Sequence, residues 1–210
     1  MMPTSFSPLI IAFLGAVPTM LLISWARDRR NPILFSRGLR LALGGAFILL
    51  ICRLVETTVS ELLPSSAWLR IGLLAPVVEE SARFAWIRIS DSDRIEAGTL
   101  TGGAMGISEN ALKYFTEDIS SGTWMFRVLA TAPFHGIAGG IQSRGGQGYF
   151  LSLLLHVLYN SGIVAGGQIG WLLTLGAFWG GACAWFIVLQ GERVIGASGW
   201  SDDPGRHLCA

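Results

Sequence analysis

An all-α, polytopic transmembrane bundle of about seven helices is the fold this sequence predicts, on three observations. Of the 210 residues, 51% are apolar and only 14% are charged, whereas about 25% are charged in soluble domains. The apolar residues gather into runs close to the ~20 residues that a helix needs to cross a bilayer core. Short polar or glycine-containing turns separate the runs and leave few residues for a soluble domain. Residues 1–190 therefore read as a single transmembrane helical domain, and the polar segment 191–210, with Asp202-Asp203-Pro204-Gly205, as a disordered tail.

Taken in order, the first helix runs from about Pro8 to Trp25 with a kink at Pro18, and lacking a basic leader it reads as a retained span rather than a signal peptide. The second runs from about Leu39 to Val59 and carries Arg53 and Glu56 one turn apart near its end. The third covers about Ala67–Ile89. The fourth, about Glu96–Phe115, is the least apolar, and the fifth, about Thr123–Ser143, contains Pro133. The sixth (about Tyr149–Ala165) and seventh (about Ile169–Leu189) are strongly apolar. Glycines recur at fourfold spacing in Gly98/Gly102/Gly106, Gly162/Gly166 and Gly176/Gly180, a pattern that lets membrane helices approach closely.

Charge placement orients the bundle. Arg27, Arg29, Arg30, Arg37 and Arg40 crowd the first loop and its flanks, so that loop is expected on the cytoplasmic side, with the N-terminus outside and the C-terminus inside. The same count puts Glu117 and Asp118 outside and Arg88, Arg94, Arg144 and Arg193 inside. Arg70 and Arg127 fall near outer helix ends and are expected to snorkel to the interface. No basic patch suggests nucleic acid; the bilayer is the expected partner. Cys52, Cys183 and Cys209 have no metal-type spacing and, being three, form no disulfide framework.

The chemistry-bearing residues lie inside the apolar runs. Glu79 and Glu80 are adjacent within Ala75–Ile87, and an ionised side chain at the bilayer midplane costs roughly 2.5–3.5 kcal/mol, which makes an intramembrane carboxylate a functional candidate. Ser108-Glu109-Asn110, Phe134-His135-Gly136 and His156-Val157-Leu158-Tyr159-Asn160 supply possible partners. With a 1.5 Å rise per residue, Glu79, Glu109, His135, His156 and Asn160 fall within a layer on the order of 10 Å thick. Arg83 lies one turn from both glutamates, and Asn160 one turn from His156. Blander readings compete: Glu79, Glu80 and Arg83 as a buried ion-pair knot, His135 as a packing residue, and Glu109 paired with Lys113. A carboxylate base, a histidine holding water and an amide or imidazolium donor are the parts of peptide hydrolysis. Glu79, His135 and His156 could instead hold a divalent metal such as zinc, although His-Glu-x-x-His is absent, as is Gly-x-Ser-x-Gly.

In order and spacing, Glu79-Glu80-Ser81-Ala82-Arg83, Ser108-Glu109-Asn110, Phe134-His135-Gly136 and His156 to Asn160 resemble the motifs of the PrsW family of intramembrane proteases, distant relatives of CAAX prenyl endopeptidases and bacteriocin-immunity proteins. Arg83 stands where that family usually has Lys. The resemblance covers about half the chain. It implies an intramembrane peptidase of the cytoplasmic membrane acting on a membrane-anchored protein: Glu79 as the water-activating base, Glu80 its electrostatic partner or a second ligand, His135 the water or metal holder, His156 with Asn160 the transition-state stabiliser, and Glu109 and Asn110 as secondary residues. Two other classes fit the same residues. A proton-coupled transporter would use the glutamates and histidines as a relay and is expected to show repeat symmetry, of which no convincing sign was read. A non-catalytic binding or immunity protein would keep the scaffold alone.

Overall fold

The computed structural model describes residues 17, 19–24, 35–62, 64, 66–90, 94–117, 123 and 126–198, with side chains as far as residue 191. All secondary structure among them is helical. Residue 17 and residues 19–24 are helical (α1) and precede α2 (Phe35–Leu62). Helix α3 (Ala75–Ile89) continues a π-helical stretch, Trp68–Leu74, and α4 is Ile95–Thr116. A second π-helical stretch, Arg127–Thr131, runs into α5 (Ala132–Gln142), followed by α6 (Gly146–Ala165) and α7 (Gly167–Ser198). Pro18, the Arg27–Arg30 cluster and residues 199–210 lie outside the described residues.

The all-α expectation holds, and α2, α6 and the Gly167–Gly191 part of α7 are long and apolar enough to cross a membrane. Helices α4 and α5 lie at the centre of the bundle, packed against protein. Every residue of α5 is buried, as are twelve of α4. A helix shielded by its neighbours need not be greasy all round.

Close packing of these two central helices has one cause. A methyl group at Gly98 would run into the carbonyl oxygen of Gly139, one at Gly102 into that of His135, and one at Gly106 would press on Ala132. The first glycine series is thus a helix–helix contact, as its spacing predicts. In the second series Gly162 is a close contact too, since a methyl there would run into Thr174 and the Gly170 carbonyl of α7, whereas Gly166 and the third series are not. Gly166 has φ +62° and, with Gly167 at +58°, reverses the chain between α6 and α7; a Cβ there or at Gly176 meets nothing within 4 Å. Fourfold spacing alone does not distinguish a packing seam from a turn or a lipid-facing position.

The polar tail also starts later than expected, since α7 continues to Ser198. Glu192, Arg193 and Ala197 are good helix formers and the first proline is Pro204, so polarity marked where the apolar stretch ends rather than where the helix does.

Candidate active site

Both π-helical stretches end in Ala-Pro, and both precede a site residue. In Arg70-Ile71-Gly72-Leu73-Leu74-Ala75-Pro76 the Ala75 amide donates to the Arg70 carbonyl, and in Arg127-Val128-Leu129-Ala130-Thr131-Ala132-Pro133 the Ala132 amide donates to the Arg127 carbonyl. Proline has no N–H to give, so a carbonyl one turn before it loses its helical donor, and wide π turns of this kind are frequent at functional sites. Asparagine side chains enter both turns: Asn160 Nδ2 donates to the Ile71 carbonyl at 3.0 Å and Asn110 Nδ2 to the Arg127 carbonyl at 3.0 Å. Glu79 follows Pro76 by three residues and His135 follows Pro133 by two.

The two adjacent glutamates have opposite surroundings. Glu80 is fully buried and saturated. Its Oε1 accepts from His156 Nδ1 at 2.6 Å and pairs with Arg83 Nη2; its Oε2 accepts from Gln142 Nε2 at 2.6 Å and from Ser152 Oγ at 2.9 Å. Gln142 Oε1 in turn accepts from Arg83 Nε at 3.1 Å. The ion-pair knot therefore exists, but it uses only Glu80. Glu79, also buried, turns the other way, into a cavity of about 330 Å³. Its Oε2 has no hydrogen-bond partner among the described residues and stands 3.8 Å from His135 Nε2 and 3.9 Å from His156 Nε2. Those gaps are too long for direct hydrogen bonds and the right length to be bridged by one water.

The two imidazoles cross nearly at right angles, 86°, with centroids 5.1 Å apart. Phe134 packs edge-on against His156 and stacks on Tyr159, whose hydroxyl meets Thr131 Oγ1 at 2.9 Å, which walls the site with aromatic surface.

Hydrogen-bond chemistry assigns the protons. A guanidinium has only donors, so His135 Nδ1, 3.1 Å from Arg83 Nη1, accepts. Its Nε2 then carries hydrogen, which it donates to Glu109 Oε2 at 3.0 Å. In His156 the Nδ1–H donates to Glu80, which turns Nε2 toward Glu79. This bears on a metal. Ligand atoms of Glu79, His135 and His156 do lie within 4.8 Å of one another, but the His135 nitrogen nearest Glu79 has no lone pair to give. Only Glu79 and His156 remain as donors, fewer than the three protein ligands of catalytic zinc sites. The donor set does not fit such a centre.

Glu109 holds more partners than Lys113 alone. Its Oε1 faces Arg53 Nη2 at 2.8 Å, Arg127 Nη2 at 2.9 Å and Lys113 Nζ at 3.5 Å. Arg70 and Arg127, near helix ends, turn toward this cluster. Both line the cavity with Arg53, Glu56 and Lys113, and the Arg127 side chain is only 11% exposed. The site residues that sequence reading passed over are these arginines, Gln142 and Ser152. A signal for two of them was present, since Arg-x-x-x-x-Ala-Pro occurs twice, each time just ahead of a site residue.

Compared with protein-family models, curated proteins and solved structures, the chain matches none.

Proposed function

We propose that this chain is an intramembrane peptidase of the cytoplasmic membrane, cleaving a membrane-anchored protein with a water activated by Glu79. One observation carries the reading: of two adjacent buried carboxylates, Glu80 is bonded on both oxygens while Glu79 presents to a cavity, between two histidines, an oxygen with no hydrogen-bond partner among the described residues. In this mechanism the water lies between Glu79 Oε2 and His156 Nε2. Glu79 takes its proton as the water oxygen bonds to the peptide carbonyl carbon, and passes that proton to the leaving nitrogen as the C–N bond breaks. Charge developing on the carbonyl oxygen is met by the cationic side of the cavity, where Arg53 and Arg127 lie. Asn160 and Asn110 act as positioning residues that hold the two π turns.

All seven helices cross the bilayer in this reading, with the N-terminus outside and the C-terminus inside. The cavity is lined by the C-terminal parts of α2, α4 and α6 and by the stretches leading into α3 and α5, which puts it at the end remote from Arg37, Arg40, Arg88 and Arg144, so it opens outward.

The repeated π turns favour one other class, a proton-coupled carrier, because interrupted helices at matching positions mark transporter sites. A single experiment separates the two. Proteoliposomes carrying the chain and a library of membrane-anchored substrates are assayed for new peptide termini by mass spectrometry and for dissipation of a pH gradient. New termini without proton flux support the peptidase; flux without new termini overturns it.

A further inference from the structure

Glu56, one turn beyond Arg53 on α2, is only 9% exposed and lines the cavity with Glu79. Its Oε2 accepts from Arg53 Nη1 at 3.0 Å, whereas its Oε1 is buried and meets no N–H or O–H donor among the described residues. Glu79 Oε2 is in the same position. A buried carboxylate oxygen without a donor is costly, and here two of them sit on side chains that come within hydrogen-bond reach of each other. Ionised carboxylates only accept, so the contact is a repulsion between two carboxylates and a hydrogen bond once one of them carries a proton. Arg53 does not remove the need for that proton, because its Nη2 is taken by Glu109 at 2.8 Å. The other charged neighbours of Glu56 are Glu109 and Lys113 on α4, which face each other at 3.5 Å. Arg70 and Arg127 line the same cavity, and Arg127 pairs with Glu109.

We propose that Glu56 and Glu79 form a carboxyl–carboxylate pair that holds one proton, with Glu56 as the positioning residue that donates it to Glu79. The inference rests on the peptidase reading and adds a residue that no motif marks. The Glu56 O–H holds the Glu79 carboxylate toward the water. Glu79 takes a proton from the water as the oxygen–carbon bond forms and gives it to the leaving nitrogen as the C–N bond breaks. The Glu56 proton stays in the pair, so none is gained or lost over the cycle. With both groups protonated Glu79 is no base, and with neither protonated the two charges push the side chains apart.

The test probes the full chain in an ester-free detergent at neutral pH by infrared spectroscopy, for the carbonyl stretch of a protonated carboxyl group. The wild type is compared with Glu56→Gln, Glu79→Gln, the double variant and, as a control at an exposed residue, Glu61→Gln. The wild type shows the band, each single variant at the pair loses it, the double variant loses no more than either, and Glu61→Gln keeps it. Cleavage of a membrane-anchored substrate in proteoliposomes, followed against pH, is the second readout. It falls at high pH in the wild type, where the pair loses its proton; Glu56→Gln, whose amide donates to Glu79 at every pH, loses that fall, and a merely structural role would not move the profile. A wild type without the band, a band that survives in either single variant, or the same high-pH fall in the wild type and Glu56→Gln overturns the proposal. The wild-type spectrum can overturn it even where a variant fails to fold. Band loss as expected with no cleavage keeps the pair and refutes the peptidase; cleavage by a wild type that lacks the band does the reverse.

Discussion

His156 Nδ1 sits 2.6 Å from Glu80 Oε1, which fixes the ring so that its other nitrogen faces Glu79. Two consecutive glutamates are thereby given different work, one building the site and one facing the cavity. Stability should register the difference. Glu80→Gln leaves Arg83 buried without its carboxylate, and breaking one side of a buried pair typically costs about 3–5 kcal/mol. Glu79→Gln replaces a carboxyl group whose Oε2 has no partner among the described residues and should change stability by less than about 1 kcal/mol or raise it. Thermal denaturation in detergent gives the comparison, and equal losses in the two variants would contradict it.

A second stability contrast concerns the glycines. Gly102→Ala places a methyl against the His135 carbonyl and forces α4 away from α5, which should cost about 1–3 kcal/mol and lower activity by shifting His135. Gly176→Ala meets nothing within 4 Å and should be neutral or slightly stabilising. Denaturation midpoints decide this, and a harmless Gly102→Ala would mean that the two helices are not so closely packed.

The helical segments were legible in the sequence because apolar run length, proline and glycine report directly on what a helix in lipid tolerates. The third, fourth and sixth helices begin and end within a few residues of their expected positions. Convergence of Glu79, His135 and His156 was legible from depth along the helix axis. Rotation about that axis was not, so although Asn160 does line the cavity, the bond from its amide to the Ile71 carbonyl was not foreseen. The division of labour between Glu79 and Glu80 was equally hidden, because it depends on Gln142 and Ser152, polar residues on other helices with no motif to mark them. The pairing of Arg127 with Glu109 was hidden too, because a hydropathy profile treats any arginine near a helix end as interfacial although a bundle can pair it with a buried carboxylate.

Capping of the π turn gives a further prediction. Asn160→Ala leaves the Ile71 carbonyl without its side-chain donor, which should cost about 1–3 kcal/mol if the group stays dry. Asn160→Asp, which brings an acceptor to an acceptor, should be worse than Ala. If both variants denature like the wild type, the turn is held by other means.

The proton positions assigned to the histidines bear on metal dependence. With His135 Nδ1 accepting from Arg83 and its Nε2–H directed at Glu109, turnover should survive exhaustive chelation and show no stimulation by added zinc. Peptide cleavage by chelator-treated protein, with metal content checked by mass spectrometry, is the measurement. Loss of activity on chelation with recovery on adding zinc would show that His135 adopts the other tautomer.

The central claim is that the carboxylate of Glu79 activates the water. Its most direct test is cleavage of a membrane-anchored substrate by Glu79→Gln protein in proteoliposomes, read as new termini by mass spectrometry beside the wild type. Glutamine keeps the shape and most hydrogen bonding but cannot take a proton, and removal of a general base lowers rates by about 10²–10⁴-fold. The account predicts a folded, membrane-inserted variant with cleavage reduced at least that far, and wild-type cleavage by Glu79→Gln would contradict it.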